Sequence, residues 1–516
     1  MSHIIPTADL NPASFSKDEM LWIYNGLDAT LTHEIHQRIR PQLDPNAELI
    51  YKFEQAMQAP ALEMTLRGFR IDMAARARML KDLEAKRERA NWILSRLGLA
   101  ITGEPINANS PHQLKNVFYK TLGVPEQFKI EKGERKVSTN REALEKIESY
   151  FYARPVAKAV TAARDVIKKI SVLHSGIDPD SRMRFGYAVA GTETGRWSSS
   201  SNAFGTGTNG QNITEELRPI FVADPGYRLC YVDLEQAESR LVGILTYLIF
   251  GDSKYLDACE SGDLHTTVCK MVWPGLGWSS DPKENKILAE SPFYRQYSYR
   301  DMSKRGGHGS NYYGQARTMA MHLKVQTELM VEFQKKYFGE FPAIPRWHQW
   351  TAQQIQLHAK LCTPVGRVRH FFGRLTDDST LREAIAYTPQ STIGDLLNLG
   401  LWRLWHRHGN EIQILAQVHD AVVFQYPEAL HHKVPIYEAS IRTPLQIKDR
   451  TVILPTEAKT GWNWGKAVTP KDQEKYTKAG RVPPALNSDG LLTYSSNDTR
   501  SRQTKLESSL LDRRFL

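Results

Sequence analysis

The sequence predicts a mixed α+β fold, in which a helical first part is followed by strand-forming segments. Residues 50–100 are rich in Ala, Leu, Lys, Arg and Glu, which are good helix formers, and 138–175 is predicted to be helical again. At about residue 183 the pattern changes. FGYAV alternates as a strand does, and YRLCYVDL and EIQILAQVHDAVVFQ are longer, apolar strand candidates.

The other segments before residue 183 show weaker patterns. Residues 1–50 are short and mixed, and 101–140 is predicted to form loops and short helices. Within NANSPHQL, Ser110 is a candidate N-cap and Pro111 stands at the first helical position.

Beyond residue 183, loops separate the predicted strands and helices. The segment TETGRWSSSSNAFGTGTNGQN is rich in Gly, Ser, Thr and Asn, which predicts a long loop. A helix is predicted from about Gln236, directly after YRLCYVDL, and His419 and Asp420 stand between two apolar strands. Residues 467–516 are polar and aperiodic, which predicts a mobile tail.

Length and composition favour a multidomain protein with a polyanionic partner. The 516 residues correspond to about three or four domains. The formal net charge of +10 favours nucleic acid as that partner, although many basic proteins bind none. Four cysteines without a CxxC pair indicate a reducing compartment and argue against a zinc site or a disulfide framework.

Neither a bilayer-spanning stretch nor a signal peptide is evident in the sequence. The prediction is therefore a cytoplasmic protein without a membrane partner.

Two acidic residues stand out because apolar strands flank them. Asp233 ends YRLCYVDL, and Asp420 lies within ILAQVHDAVVF. Burying a lone carboxylate is costly, whereas two carboxylates from separate strands can hold two metal ions about 4 Å apart for phosphoryl transfer. Taken singly, each acid is more often an ordinary residue at a strand end or turn.

A second group has a spacing of four residues, which would place its members on one face of a helix. The group consists of Arg300, Lys304, His308 and Tyr312. Two cations and two rings suit a triphosphate and a stacked base, but a solvated basic face is the commoner explanation. Three glycines, Gly306, Gly307 and Gly309, each oppose a helix by about 1 kcal/mol relative to alanine. A hinging helix that closes over a substrate would tolerate them.

The loop at 192–199, with Gln211 and Asn212 beyond it, is a third candidate. Backbone-rich loops with Arg, Ser and Asn can follow a phosphate backbone. The alternative is a plain surface loop.

Taken together and in order, these segments resemble the motifs of family A DNA polymerases, the polymerase I type. DLEQAESR at 233–240 is similar to the family's Asp-Tyr-Ser-Gln-Ile-Glu-Leu-Arg. RDMSKRGGHGSNYYG at 300–314 is similar to Arg-x3-Lys-x3-aromatic-Gly-x2-Tyr-Gly, with the last glycine one place late. QVHDA at 417–421 is similar to Gln-Val-His-Asp-Glu.

Further segments resemble the same family, so that the resemblance covers about residues 50 to 466. They are TGR at 194–196, QNI at 211–213, DLH at 263–265, Arg382 with Gln390, NSP at 109–111 and STN at 138–140.

The resemblance implies a role for each matching residue. Asp233 and Asp420 would be catalytic metal ligands, with Lys304 as a further catalytic residue. The dNTP would be bound by Arg300, Lys304, His308, Tyr312, His265, Glu238 and Gln236, of which Glu238 would exclude a ribose 2′-hydroxyl. Primer and template would be bound by Arg196, Gln211, Asn212, Arg382, Gln390 and His419.

Some positions depart from the family pattern. His308 replaces the Phe or Tyr whose ring lies against the incoming sugar, so discrimination against dideoxynucleotides is unpredictable. Ala421 replaces an acid, which leaves activity expected but metal preference open. Ala386 stands where Asn is frequent, and a Trp- and Pro-rich stretch at 273–299 lengthens the region in a way typical of phage replicative members.

Near the N-terminus, Tyr24 and Asp28 resemble the third motif of the family's 3′–5′ exonuclease, although a Tyr and an Asp at this spacing are common by chance. That nuclease also needs two upstream acidic motifs, and 23 residues before Tyr24 leave no room for them. The chain is therefore expected to lack most of the exonuclease domain and to be unable to proofread alone.

The implied architecture is a right hand with an antiparallel palm sheet and mainly helical fingers and thumb. The expected segments are an exonuclease remnant (1–50), thumb (51–182), palm (183–262 and 376–466), fingers (263–375) and a mobile tail (467–516).

The implied function is template-directed DNA synthesis by two-metal phosphoryl transfer, with two Mg²⁺ ions, or Mn²⁺ as a second candidate. The expected partners are primer–template DNA and dNTPs. A separate exonuclease, a single-strand binding protein or a helicase-primase are candidate protein partners. A phage-encoded chain would act in the cytoplasm of a bacterial host.

Two alternatives remain. A single-subunit RNA polymerase-like enzyme shares the palm acids, but Glu238 and the TGR and QNI segments argue against it. Retention of Asp233, Asp420 and Lys304 argues against an inactive DNA-binding accessory protein.

Overall fold

The mixed α+β class is confirmed in the computed structural model, which describes residues 11–131, 134–294, 297–478, 483–498 and 500. The α-helices are α1 (Lys17–Ile39), α2 (Pro45–Arg67), α3 (Met73–Thr102), α4 (Pro111–Lys115), α5 (Arg141–Ile147), α6 (Arg154–Leu173), α7 (Ala237–Phe250), α8 (Lys254–Glu260), α9 (Leu264–Val272), α10 (Pro282–Ala289), α11 (Tyr299–Asn311), α12 (Ala316–Leu323), α13 (Thr327–Glu340), α14 (Ala343–His358), α15 (Asp378–His408), α16 (Val434–Ile441) and α17 (Pro470–Lys478). The strands are β1 (Phe69–Ile71), β2 (Phe128–Glu131), β3 (Glu134–Val137), β4 (Arg182–Met183), β5 (Phe185–Ala188), β6 (Ser198–Ser201), β7 (Phe221–Val222), β8 (Tyr227–Leu234), β9 (Pro292–Tyr294), β10 (Tyr297–Ser298), β11 (Lys360–Cys362), β12 (Val368–His370), β13 (Gln413–Val418), β14 (Ala421–Pro427), β15 (Pro444–Ile447), β16 (Arg450–Ile453), β17 (Thr456–Gly461) and β18 (Leu492–Thr493).

The centre of the molecule is a five-stranded sheet with the order β13-β14-β8-β17-β18. All four strand pairs are antiparallel, as the family resemblance implies for the sheet. The apolar runs that identified β8, β13 and β14 are explained by burial, because these strands are covered on both faces.

Each face of the sheet packs against its own core. Cys230, Val232 and Leu234 of β8 alternate with Leu229 and Tyr231, so the two sets point to opposite faces. The first set packs with buried side chains of α2, α7, α15 and α16. The opposite face packs with β1, β7 and the first half of α3.

Two helical lobes extend from this centre. The first lobe consists of the second half of α3 and α4–α6, around Leu94, Phe118 and Val160. The second lobe consists of α8–α14, around Phe333 and Trp347. Ser110 caps α4, with Pro111 at its first position, as the sequence predicts.

Two of the expected segment boundaries fall inside elements. The boundary at 50/51 lies within α2, whose Met57, Ala61 and Met64 pack on the central sheet and not in the first lobe. The boundary at 182/183 lies within β4. Residues 17–39 form one helix, so the expectation of a short, mixed segment is wrong there; Ser16 and Glu19 form a capping box that starts it.

The prediction of a mobile tail from residue 467 is wrong for the described residues up to 498 and for 500. β18 pairs with β17 and extends the central sheet. Asp498 accepts a hydrogen bond from Arg228 at 2.6 Å in a buried ion pair, and Arg500 donates to the same carboxylate. Charged residues that satisfy one another explain how so polar a segment is ordered. Residues 501–516 lie outside the described part.

None of the helices described is both long and apolar enough to cross a membrane.

Candidate functional site

The central sheet brings Asp233 and Asp420 together. Asp233 is the second-last residue of β8 and pairs with Ala421, the first residue of β14. Asp420 immediately precedes Ala421, in the two-residue turn that joins β13 to β14. The amide of Leu234 donates to the carbonyl of Asp420 at 3.2 Å. The two carboxylates, 187 positions apart in sequence, are therefore neighbours at one end of the sheet.

The electrostatics of this pair suit a bound cation. Burial, and then the negative charge of Asp420, raise the pKa of Asp233 to about 7. A divalent cation bound by both carboxylates would offset the repulsion that raises this pKa. The pair fits metal binding in this respect, although the described residues contain no group of three or more His, Cys, Asp and Glu side chains placed to hold a metal.

β17 adds two charged residues beside Asp233 that the sequence prediction missed. Glu457 is the register partner of Asp233 on the other side from Ala421, and Lys459 lies two residues further along. Lys459 Nζ is 2.7 Å from Glu457 Oε2, and its charge lowers the pKa of Asp233. The alternating pattern of TEAKTG is the signal that could have placed both on one strand face.

The helix predicted from the four-residue spacing is α11. It carries Arg300, Lys304 and His308, and Tyr312 is the residue after its end. Arg300 donates from Nε and Nη2 to the two carboxylate oxygens of Asp263 at 2.8 and 3.0 Å. Lys304 and His308 are exposed.

His265 lies close enough to the charged side chains of α11 to be affected by them. Burial and then the positive charge of Arg300 lower the pKa of His265 to about 4, with smaller contributions from Lys304 and His308. His265 is therefore neutral at pH 7 and can donate one hydrogen bond or accept one.

Glu238 connects α7 with α11 and with the loop between β5 and β6. Its Oε2 is 3.3 Å from His308 Nδ1, and its Oε1 is 3.7 Å from Arg196 Nη2. The ring of Tyr312 is 5.0 Å from that of His308. Burial and the charge of Glu238 raise the pKa of Tyr312 above its usual range. Since Glu238 is five residues after Asp233, this cluster adjoins the acidic pair.

The turn at His419 is held by a glutamine pair. Gln211 Nε2 donates to Gln417 Oε1 at 2.8 Å, and Gln417 Nε2 donates to the carbonyl of His419 at 3.3 Å. His419 has a φ of 56°, in the left-handed region, and its side chain is exposed. Asn212 is exposed beside Gln211.

Gln236 caps α7 with a φ of 52°. Its Oε1 is buried and accepts no hydrogen bond from any described residue. A buried acceptor without a donor is costly, which is consistent with a polar ligand at this point.

The remaining predicted residues lie on α15 and α1. Arg196 Nε donates to the carbonyl of Gln390 at 3.1 Å, so α15 reaches the site through Gln390. Arg382 is exposed two turns earlier on α15. Tyr24 and Asp28 are exposed on α1, one turn apart, and α1 buries no residue in any of the cores.

Comparison with known proteins reveals extended similarity. Residues 77–466 match the model of DNA polymerase family A. The thermostable DNA polymerase I of Thermus thermophilus is 25% identical over 463 residues, which cover 85% of this chain and 51% of that protein. DNA polymerase I of Helicobacter pylori is 26% identical over 398 residues, which cover 74% of this chain and 40% of that protein. The chain thus spans about half the length, or less, of these curated relatives.

A solved structure has the same fold. It is the POL domain of Pol1 from M. smegmatis in complex with DNA primer–template and dNTP. The TM-score is 0.65 at 21% identity, with 86% of this chain and 74% of that chain covered.

Proposed function

The chain belongs to DNA polymerase family A, and on that premise we propose that it is a DNA-directed DNA polymerase, which adds dNTPs to a primer 3′-hydroxyl as a template directs. The observation that carries the proposal is the convergence of Asp233 and Asp420, next to a helix face with three cationic or imidazole side chains. Phosphoryl transfer requires this combination of oxygen ligands for metals and cations for the phosphates.

In this proposal the central sheet is the palm, the first lobe the thumb and the second lobe the fingers. The primer–template duplex lies between the lobes, over the end of the sheet that carries Asp233. The structural relative contains DNA primer–template and dNTP, which supports these two partners. Contacts from Lys and Arg to the phosphates give affinity without sequence preference, so binding weakens strongly with salt.

Asp233 and Asp420 are the proposed ligands of two divalent cations, Mg²⁺ first. Bound there, the ions would lower the pKa of the primer 3′-hydroxyl and offset charge on the reacting phosphate. Asp233, with a pKa of about 7, would be fully ionised with a cation bound beside it. Glu457 and Lys459 form an ion pair beside it and add little net charge.

The triphosphate is proposed to bind along α11. Lys304 is exposed and ready to contact phosphate oxygens, and Arg300 is held in place by Asp263. Neutral His265 donates a hydrogen bond to the phosphates without adding charge. Movement of α11 towards the sheet would bring these groups to the metals.

Selection of the sugar is proposed to depend on Glu238. Arg196 and His308 hold its carboxylate, and Tyr312 lies beside it. In this proposal the Glu238 carboxylate, fixed in this way, occupies the space that a ribose 2′-hydroxyl would need. The exposed His419 would face the primer terminus, since it adjoins Asp420.

A primer-extension assay tests the proposal. The purified chain is incubated with a labelled primer–template and Mg²⁺, with dNTPs in one reaction and rNTPs in another. The primer is expected to be extended in the reaction with dNTPs and not in the reaction with rNTPs. Extension by rNTPs alone would favour the RNA polymerase-like alternative, and binding without extension would favour the accessory protein. The expectation that this chain does not proofread stays a prediction, which a 3′-mismatched primer checks in the same assay.

A further inference from the structure

A buried ion cluster lies beneath the loop that carries Arg196. Arg367 donates from Nε to Asp395 Oδ2 at 2.9 Å and from Nη2 to Asp395 Oδ1 at 2.6 Å. The same Nη2 donates to Glu54. The cluster therefore joins α2, α15 and the hairpin formed by β11 and β12.

The cluster is shielded from water. The side chains of Arg367, Asp395 and Glu54 are 10%, 3% and 13% exposed. Burial is the main influence that raises the pKa of both acids. Two acids and one base are expensive to bury, and a hydrophobic replacement is often as stable, so stability alone does not account for the cluster.

Gly195 packs directly against the guanidinium of Arg367. A Cβ on Gly195 would lie 2.5 Å from Cζ of Arg367, and the φ of Gly195 is +75°. Both facts restrict this position to glycine. Since hydrogen bonds hold the Arg367 side chain on two sides, its location fixes that of Gly195.

Arg196, the next residue, packs on the same part of α15 that anchors Arg367. A Cβ on Gly394 would be 3.2 Å from Arg196 Cγ, and Gly394 immediately precedes Asp395. Arg196 Nε donates to the carbonyl of Gln390, one turn earlier. Its Nη2 then reaches Glu238 at 3.7 Å.

A second arginine of the hairpin holds the loop from its other end. Arg369 Nη2 forms ion pairs with Glu193 and, at 3.0 Å, with Glu383 of α15. The β11–β12 hairpin thus contacts the loop at Glu193 and at Gly195, both within the turn formed by residues 192–195.

We propose that Arg367, fixed by Asp395 and Glu54, is a positioning residue that sets Arg196 in register with the primer terminus and with Glu238. Arg367 does not touch DNA or dNTP and acts through Gly195 and Arg196. The inference rests on the proposed polymerase function and adds to it a residue outside the matched motifs.

A double-mutant cycle tests the proposal. The variants are Arg196→Ala, Arg367→Lys and the two combined. The measured quantity is the efficiency of single-nucleotide incorporation, expressed per active site after titration with primer–template, so that a smaller folded fraction does not count as a slower rate. Lysine keeps the charge of Arg367 but not its two-pronged contact with Asp395.

The incorporation efficiency of Arg367→Lys is expected to be about tenfold to a hundredfold lower than that of the wild type, because small misplacements at a reacting centre have effects of that size. If Arg367 acts through Arg196, the double variant is no worse than Arg196→Ala. Losses that multiply in the double variant, or an unchanged rate in Arg367→Lys or Arg196→Ala, would overturn the inference. A wild-type chain that incorporates no dNTP would instead overturn the proposed function.

Gly195→Ala gives the same test if Arg367→Lys fails to fold. It disturbs the contact from the loop side, where the extra methyl meets the guanidinium. The loss of incorporation efficiency caused by Gly195→Ala should likewise be absent when Arg196 is already alanine. Losses that multiply in that double variant would contradict the proposal.

Discussion

Arg300 and Asp263 show how one side chain orients another at the site. In the proposed triphosphate site, Arg300 would contact phosphate through its remaining guanidinium hydrogens, because Nε and one Nη2 hydrogen are taken by Asp263. Thr266 Oγ1 donates to the same carboxylate at 2.7 Å. Asp263 therefore fixes the direction in which Arg300 points.

Asp263→Asn is predicted to destabilise the protein in a pH-dependent way. Burial acts to raise the pKa of Asp263, but hydrogen bonds from Arg300 and Thr266 outweigh it and hold the pKa at about 2. A folded-state pKa below the unfolded value of about 3.9 stabilises the protein above pH 4, and this contribution is lost as the pH falls towards 2.

The predicted loss in free energy of unfolding at pH 7 is about 2 kcal/mol, measured by urea denaturation. The exposed acid Asp82 gives a matched control, Asp82→Asn, which should change little. An Asp263→Asn deficit that stayed constant from pH 7 down to pH 3 would contradict the ion-pair explanation.

At the scale of single residues, the sequence identifies the acidic site residues better than it identifies which side chains form ion pairs. Asp233 and Asp420 stand out because apolar strands flank them, and a buried acid is unusual. The partners of Arg300 and Arg367 lie 37 and 28 residues away on other elements, so their pairing depends on how helices pack. No local pattern encodes that packing.

Among the elements, α11 shows why a helix accepts glycines that oppose it. A Cβ on Gly306 would be 2.6 Å from Phe333 Cε1, and one on Gly309 would be 2.9 Å from Met319 Sδ. These glycines allow α12 and α13 to approach closely. The sequence interpretation that glycines permit hinging is therefore not needed to explain Gly306 and Gly309.

Gly306→Ala and Gly307→Ala are predicted to have opposite effects. The methyl at 306 meets the ring of a buried phenylalanine, so we expect a loss of about 1–3 kcal/mol in unfolding free energy. At 307 the nearest atom is Tyr337 Cε2 at 3.5 Å, an ordinary contact, so helix propensity predicts a gain of up to about 1 kcal/mol. Equal effects in urea denaturation would refute this account of α11.

The C-terminal segment is the element that sequence analysis misjudged. Its polar composition resembles that of a disordered chain, yet Asp498 and Arg228 are 7% and 5% exposed. Hydrophobic patterns in a sequence predict which segments bury apolar side chains. This segment is instead held by ion pairs and by the short strand β18. In contrast, β8, β13 and β14 were predictable because apolar side chains dominate them.

Asp498→Asn is predicted to cost about 3–5 kcal/mol, because it leaves Arg228 buried without its counter-charge. The neighbouring exposed residue gives a control, Asn497→Ala, which should be nearly neutral. Thermal unfolding of the two variants, side by side with the wild type, provides the measurement. Similar midpoints for Asp498→Asn and Asn497→Ala would mean that the segment is not anchored by this pair.

In the whole molecule, the two lobes contact each other through charged side chains. Lys324 Nζ of the second lobe is 2.8 Å from Glu148 Oε2 of the first, and His322 Nδ1 is 3.3 Å from Glu145 Oε2. A cavity of about 370 Å³ lies between them. This arrangement of the lobes was not predictable from sequence, since none of these four residues belongs to a motif.

Lys324→Ala is predicted to increase the population in which the lobes are apart. Partly exposed ion pairs contribute about 1 kcal/mol or less, which corresponds to a change of at most about fivefold in that population. Spin labels on α6 and α13 would report the distance between the lobes. Lys335→Ala on the exposed side of α13 is the control, and identical distance distributions for both variants would contradict the prediction.

The proposed polymerase activity depends on Asp233 and Asp420 acting as a catalytic pair. The most direct test measures the rate of single-nucleotide incorporation, at saturating primer–template and dNTP, for Asp233→Asn, Asp420→Asn and the surface control Asp18→Asn. The incorporation rate of both site variants is predicted to fall about a thousandfold, which corresponds to about 4 kcal/mol of transition-state stabilisation. The control is predicted to keep the wild-type rate. All three variants are predicted to bind DNA as the wild type does. A site variant that retained the wild-type rate would contradict the central claim.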